Sequence, residues 1–172
     1  MYDFEYGTRE ANLWVLVMQT RDVMTQLTER LLAKAGLTPE KWNLLHLCMN
    51  SPQSLTVAEL SRMLFRKPHT VSGLLNRMEE DGLVKRGKQV GQEAQPMHIK
   101  ITPKGRELYY EGTRIQMGPL NRVTERLPKE QLEQLENGLR ALRNSLLQEI
   151  NIQPLRVRLR LPDDQKHGTP EA

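Results

Sequence analysis

Cysteine is almost missing from this chain. Cys48 is the single one in 172 residues, so no disulfide can form within the chain, and a reducing compartment is the expected setting. Aromatic side chains make up 5% of the residues against 38% hydrophobic overall, which leaves Leu, Val and Met on helices to supply most of the buried surface. No apolar run approaches the roughly 18 residues that a membrane span needs. The opening stretch MYDFEYGTRE has no apolar core of the kind that marks a secretory signal. These absences together predict a cytoplasmic location and no membrane partner.

The patterns that carry catalysis are missing as well. There is no Gly-rich phosphate loop and no Ser/His/Asp arrangement at a meaningful spacing, so no catalytic residue is assigned and an enzyme is not expected. His46 and Cys48 lie two apart on a predicted helix and diverge by about 200°. His69, His98 and His167 are scattered, so neither a metal nor another cofactor is expected. Within an apolar helix and without an adjacent cation, Cys48 reads by default as a packed neutral thiol.

What is present is charge in one place and helical periodicity nearly everywhere. The net charge of +4 and pI near 9.3 permit a polyanionic partner without demanding one. Between residues 83 and 106, however, six cations (Lys85, Arg86, Lys88, Lys100, Lys104, Arg106) face one acid, Glu93.

From about residue 8 to 34, Leu13, Leu16, Thr20, Val23, Leu27 and Leu31 step by three and four, which predicts one long helix stopped by Gly36. At nearly 40 Å such a helix is longer than a small core can cover, so part of it is expected to meet another subunit. Thr38, Pro39 and Glu40 start a second helix that runs to about Met49 and carries Leu44, Leu45, Leu47 and Cys48. Thr56 and Glu59 form the capping box of a short third helix with Val57, Leu60, Met63 and Leu64. The brief Arg66-Lys67 link before Pro68 then makes a helix-turn-helix.

In the fourth helix, residues 68–81 (PHTVSGLLNRMEED), Val71, Leu74, Leu75 and Met78 form one apolar stripe. His69, Gly73 and Asn76 point away from it, flanked by Ser72 and Arg77. Small hydrogen-bonding side chains of this kind suit a helix that enters a groove about 12 Å wide and touches base edges.

After Gly82 the period changes from about 3.6 to 2. Leu83 to Arg86 and the MHIKI run at 97–101 read as strands joined by a long loop, a β-wing. Thr102 and Pro103 start a fifth helix with Leu108, Ile115 and Met117, expected to break near Gly118-Pro119. Pro128 opens a sixth, where Leu132, Leu135, Leu139, Leu142 and Leu146 make a coiled-coil-like seam. The tail LRVRLRL alternates with one cationic face. A strap on a partner subunit, a basic arm on phosphates and a frayed end are equally compatible with it.

The order of these parts resembles the MarR family of winged helix-turn-helix transcriptional regulators over about residues 8–150. The resemblance is most specific in LTVAELSRMLFRKPHTVSGLLNRMEEDGLVKR and the later IKITPKG. It implies a mainly α fold with a small β-wing (α+β). The expected parts are an N-terminal dimerisation helix (1–36), a DNA-binding lobe (37–106) with recognition helix 68–81 and wing 83–101, C-terminal dimerisation helices (107–150), and the basic tail (151–172).

The resemblance further implies a homodimer on double-stranded DNA at a pseudo-palindromic operator, acting as a repressor under control of a small molecule or stress signal. The contacts it carries over are His69, Thr70, Ser72, Gly73, Asn76 and Arg77, with Arg66 and Lys67 before them. Asn76 is suited to a bidentate bond with adenine. The wing departs from the family pattern: where Asp-x-Arg is usual, Glu93 and Gln95 stand here. Glu93 keeps an acid for Arg77, and Arg86 and Lys88 are the substitutes for the lost arginine. An effector pocket would be walled by Trp14, Met18, Trp42 and His46. The competing class is a winged-helix protein-interaction module with little specific DNA binding.

Overall fold

A computed structural model describes residues 7–87 and 97–152. Helix α1 (Arg9–Leu32) begins where the Thr8 hydroxyl accepts the Ala11 N–H. It tightens into a single 3-10 turn and stops at Gly36, whose φ of 66° suits a residue without Cβ. The predicted starts of the next helices are observed. Thr38 caps α2 (Pro39–Asn50), and the reciprocal Thr56–Glu59 capping box opens α3 (Val57–Met63). Helix α4 (Pro68–Glu80) follows after a four-residue turn.

The wing strands are β2 (Val84–Gly87) and β3 (His98–Ile101). They start one residue later than the alternation predicts. Leu83 is used instead to close α4, its N–H bonding the Met78 carbonyl at 2.8 Å. A two-residue strand that periodicity is too short to reveal, β1 (Leu55–Thr56), completes an antiparallel sheet in the order β1-β3-β2, with Leu55 opposite Ile99 and Val84 opposite Ile101.

The core lies inside this lobe. Leu44 and Leu45 of α2, Leu60 of α3, the whole predicted stripe of α4 (Val71, Leu74, Leu75, Met78), Val84 and Ile99 are buried together with Leu32 and Tyr109. Leu47 and Cys48 pack against it only partly.

Helix α5 (Pro103–Thr124) corrects one expectation: it runs through Gly118-Pro119 without a break. Proline in a helix costs about 3 kcal/mol, yet buried Gly105, Tyr109, Gly112 and Gln116 anchor the helix upstream. Downstream, the Thr124 hydroxyl donates to the Leu120 and Asn121 carbonyls. Helix α6 (Lys129–Glu149) buries only Leu147. Of the predicted seam, Leu135, Leu139 and Leu146 are exposed and Leu132 and Leu142 half-buried. The seam therefore has no complete partner among the described residues, and the leucine that α6 does bury lies outside it. The tail from residue 153 lies outside the described residues.

Two backbone positions generate tests. Phe65, the turn residue between α3 and α4, has a left-handed φ of 52° with its ring 59% exposed. It closes α3 through bonds from its own N–H to Arg62 O and from Arg66 N–H to Ser61 O. Little packing offsets the strain, so Phe65→Gly is expected to raise the unfolding free energy by about 1 kcal/mol in urea titration. Gly105 is the opposite case, because a Cβ there would lie 2.0 Å from the Leu83 carbonyl oxygen. Gly105→Ala should cost about 3 kcal/mol in the same assay.

Candidate nucleic-acid interface

The buried stripe of α4 turns its other side outward. His69, Thr70, Asn76 and Arg77 are exposed, Ser72 and Gly73 are half-buried, and Arg66 and Lys67 stand exposed just before the helix. A Cβ at Gly73 would meet open space, so no packing within the lobe requires glycine there. These eight residues lie on the solvent side of α4 and on the turn that leads into it.

The helix is held chiefly from its C-terminal end. The Thr102 hydroxyl donates to the Gly82 carbonyl at 2.7 Å and accepts the Gly105 N–H at 3.0 Å. Lys104 Nζ donates to the Asp81 carbonyl at 2.8 Å, and Lys41 Nζ meets Asp81 Oδ2 at 2.6 Å. Cations at the negative end of a helix satisfy its orphan carbonyls. The Lys41 hydrogen bond holds the Asp81 carboxyl below the usual range.

Arg86 departs from its expected place as a free cation at the base of the wing. Its guanidinium folds onto α4, where Nη2 donates to the Ser72 carbonyl at 3.1 Å and to Asn76 Oδ1 at 2.6 Å. Its Nε lies 3.8 Å from Glu79 Oε2, and its backbone N–H donates to Glu79 Oε1 at 3.0 Å. Glu79 went unnoticed in the sequence, although Ser72, Asn76 and Glu79 at i, i+4 and i+7 share one helical face. Lys88, Glu93 and Gln95 lie outside the described residues.

Of the four residues expected to wall an effector pocket, two meet. Trp42 stacks on His46 with centroids 4.9 Å apart and also on Tyr109 at 6.0 Å, and its indole N–H donates to Thr113 Oγ1. His46 Nδ1 lies 3.2 Å from the Tyr109 hydroxyl, and buried Asn50 bridges both. Trp14 and Met18 are instead 47% and 44% exposed on α1 and no described contact joins them to this cluster. Asn50 and Tyr109 were missed because polar and aromatic residues at core positions leave no mark on an apolar-periodicity count. Burial pushes the Cys48 thiol up to about 12, so it is protonated at neutral pH.

Compared with known proteins, residues 35–93 match the model of the MarR family. The lobe belongs to that family. The chain is 28% identical over 99 residues to the homoprotocatechuate degradative operon repressor of Escherichia coli, a match spanning 57% of this chain and 65% of the repressor, slightly under two thirds of its length. The fold superposes on the ligand-free organohalide-sensing RdhR-CbdbA1625 transcriptional regulator with a TM-score of 0.71, 28% identity and 86% of each chain covered. It also superposes on S. aureus MepR, solved as a DNA complex, with a TM-score of 0.71, 25% identity, and 81% and 99% of the two chains covered. The matched family and the fold are those of transcriptional regulators, and no described helix is long and apolar enough to cross a membrane.

Burial lowers the pKa of His46. The folded protein then binds fewer protons than the unfolded chain once pH drops below about 6.5, so stability is retained above that value and lost as pH falls towards the folded pKa. Denaturant midpoints at pH 7.5 and 5.5 should separate more for the native sequence than for His46→Gln.

Proposed function

We propose that this chain is a homodimeric, sequence-specific DNA-binding repressor whose affinity for a pseudo-palindromic operator is tuned by a small molecule. The observation that carries the reading is the seating of α4. Its apolar face is buried to 9% exposure or less and its C-terminal end is clamped, while its outward face and N-terminal approach present Arg66, Lys67, His69, Thr70, Asn76 and Arg77. A rigid helix with a small polar face fits the major groove, and the cations before it fit flanking phosphates. Arg86 acts through α4, and Lys88 contributes from the wing. The MepR neighbour is a DNA complex, which supports the same use of the fold.

Dimerisation rests on the terminal helices. Leu13, Leu16, Val23 and Met24 of α1, Val123 and Leu127 around the end of α5, and Leu135, Leu139 and Ile150 on and after α6 are all exposed. A helix of 21 residues with one buried side chain is marginal in water by itself. A second copy would cover these surfaces and set two α4 helices about one DNA turn apart.

The effector is placed at the Trp42–His46–Tyr109 cluster, where α2 of the lobe meets α5, with Trp14 and Met18 brought in by the partner subunit or by movement of α1. The RdhR-CbdbA1625 regulator also has a 2,4-dichlorophenol-bound form, consistent with an aromatic ligand here. The effector acts only through its differential affinity for DNA-competent and DNA-incompetent dimers.

Sedimentation should give a dimer at micromolar concentration. Fluorescence anisotropy on duplexes selected from a random pool should show specific binding with a steep salt dependence. Asn76→Ala should cost about 1 to 3 kcal/mol on the selected site and little on random DNA. A monomer, or weak binding blind to sequence, would overturn the reading in favour of an interaction module.

A further inference from the structure

The amide of Asn76 has one acceptor and one donor end, and which end faces DNA decides the base it reads. A guanidinium carries donors only, so the Asn76 atom 2.6 Å from Arg86 Nη2 must be the oxygen. That leaves Nδ2, with its two N–H donors, as the free end on an exposed side chain, with no protein partner among the described residues.

Arg86 is itself held in place. The Ser72 carbonyl accepts from the same Nη2, the Glu79 carboxylate lies beside Nε, and Glu79 also accepts the Arg86 backbone N–H. The Arg86 side chain is 22% exposed, and its buried Nε has no hydrogen-bond partner among the described residues. Swinging the side chain away would break its charge-assisted bonds to Asn76 and the Ser72 carbonyl and its ion pair with Glu79.

Resting on the reading of α4 as the base-contacting helix, we infer that Arg86 is a specificity-determining residue: it fixes the Asn76 amide so that only donors face DNA, which selects guanine over adenine. Guanine offers O6 and N7, both acceptors, in the major groove. Adenine offers N7 beside the N6 amino donor, and a bidentate bond to it needs the very oxygen that Arg86 occupies. The adenine contact expected from the amino-acid pattern is thereby replaced. Thymine, with O4 as a lone acceptor, ranks between them.

The test uses the full chain and selection from a random duplex pool. The position read by Asn76 is defined as the one whose base preference Asn76→Ala erases. At that position the native protein should prefer guanine to adenine by about tenfold or more. Arg86→Met, which frees the oxygen, should move the preference to adenine while the other positions keep theirs. A purely structural role for Arg86 would instead weaken all sequences alike and leave the base unchanged.

Asn76→Asp is the second variant, for use even if Arg86→Met fails to fold. Arg86 can pair with one carboxylate oxygen, so the other faces DNA as an acceptor and selection should pass to a base presenting an amino donor, cytosine or adenine. Adenine selected by the native protein, guanine retained in either variant, or no position sensitive to Asn76→Ala would each overturn the inference while leaving a sequence-specific regulator intact. Absence of any sequence selection would instead overturn the proposed function itself.

Discussion

The structure depends on the anchoring of one helix end. Thr102 sits where β3 ends and α5 begins, and its hydroxyl ties the Gly82 carbonyl to the first turn of α5. Lys104 and Lys41 grip Asp81 from α5 and α2. Gly105 lets α5 come so near the Leu83 carbonyl that no Cβ would fit. Helix α2 and the β3–α5 junction therefore converge on the C-terminus of α4, while the apolar stripe seats the rest of the helix on the core. A helix held in this way presents its outward face at a fixed angle, which a groove-reading element requires.

Anchoring and display use different chemistry along α4. Its apolar stripe contributes the transfer of four side chains from water, on the order of 1.5 to 3 kcal/mol each. Its outward residues contribute almost nothing to that core. Gly73 faces open space, and His69 and Arg77 are exposed. Among the described residues, the outward side chain with a hydrogen-bond partner in the lobe is Asn76, through Arg86. The outward face of α4 thus carries, among the described residues, one pre-oriented amide, and pre-orientation lowers the entropic cost of a contact.

The terminal helices obey a different rule. The described residues, 7–87 and 97–152, bury one compact lobe and leave apolar side chains of α1 and α6 exposed, with Leu16 at 58% and Leu135 at 50%. Exposed apolar surface of this kind on extended helices is what the proposed dimer would cover. The aromatic cluster of Trp42, His46 and Tyr109 occupies the joint between lobe and α5. Under the proposed function, a group wedged there would bear on the angle between α4 and the terminal helices, and so on the spacing of two α4 helices in a dimer.

Much of this architecture is local and was therefore legible in the amino-acid order. Thr38, Thr56 and Thr102 announce helix starts because a hydroxyl cap satisfies nearby N–H groups whatever the rest of the chain does. The stripe of Val71, Leu74, Leu75 and Met78 announces its buried face through a 3.6-residue period, and Gly36 and Gly82 mark helix ends through their left-handed φ. Contacts between distant residues were not legible. The two-residue strand β1 exists only because β3 lies beside it, and α5 continues through Pro119 despite the local penalty of a proline. Arg86 reaches Asn76 ten residues back only because β2 folds against α4. Sequence by itself determined which faces are apolar and where helices begin. Tertiary structure alone decided which polar groups meet, because hydrogen bonds between separate elements depend on positions that no periodicity encodes.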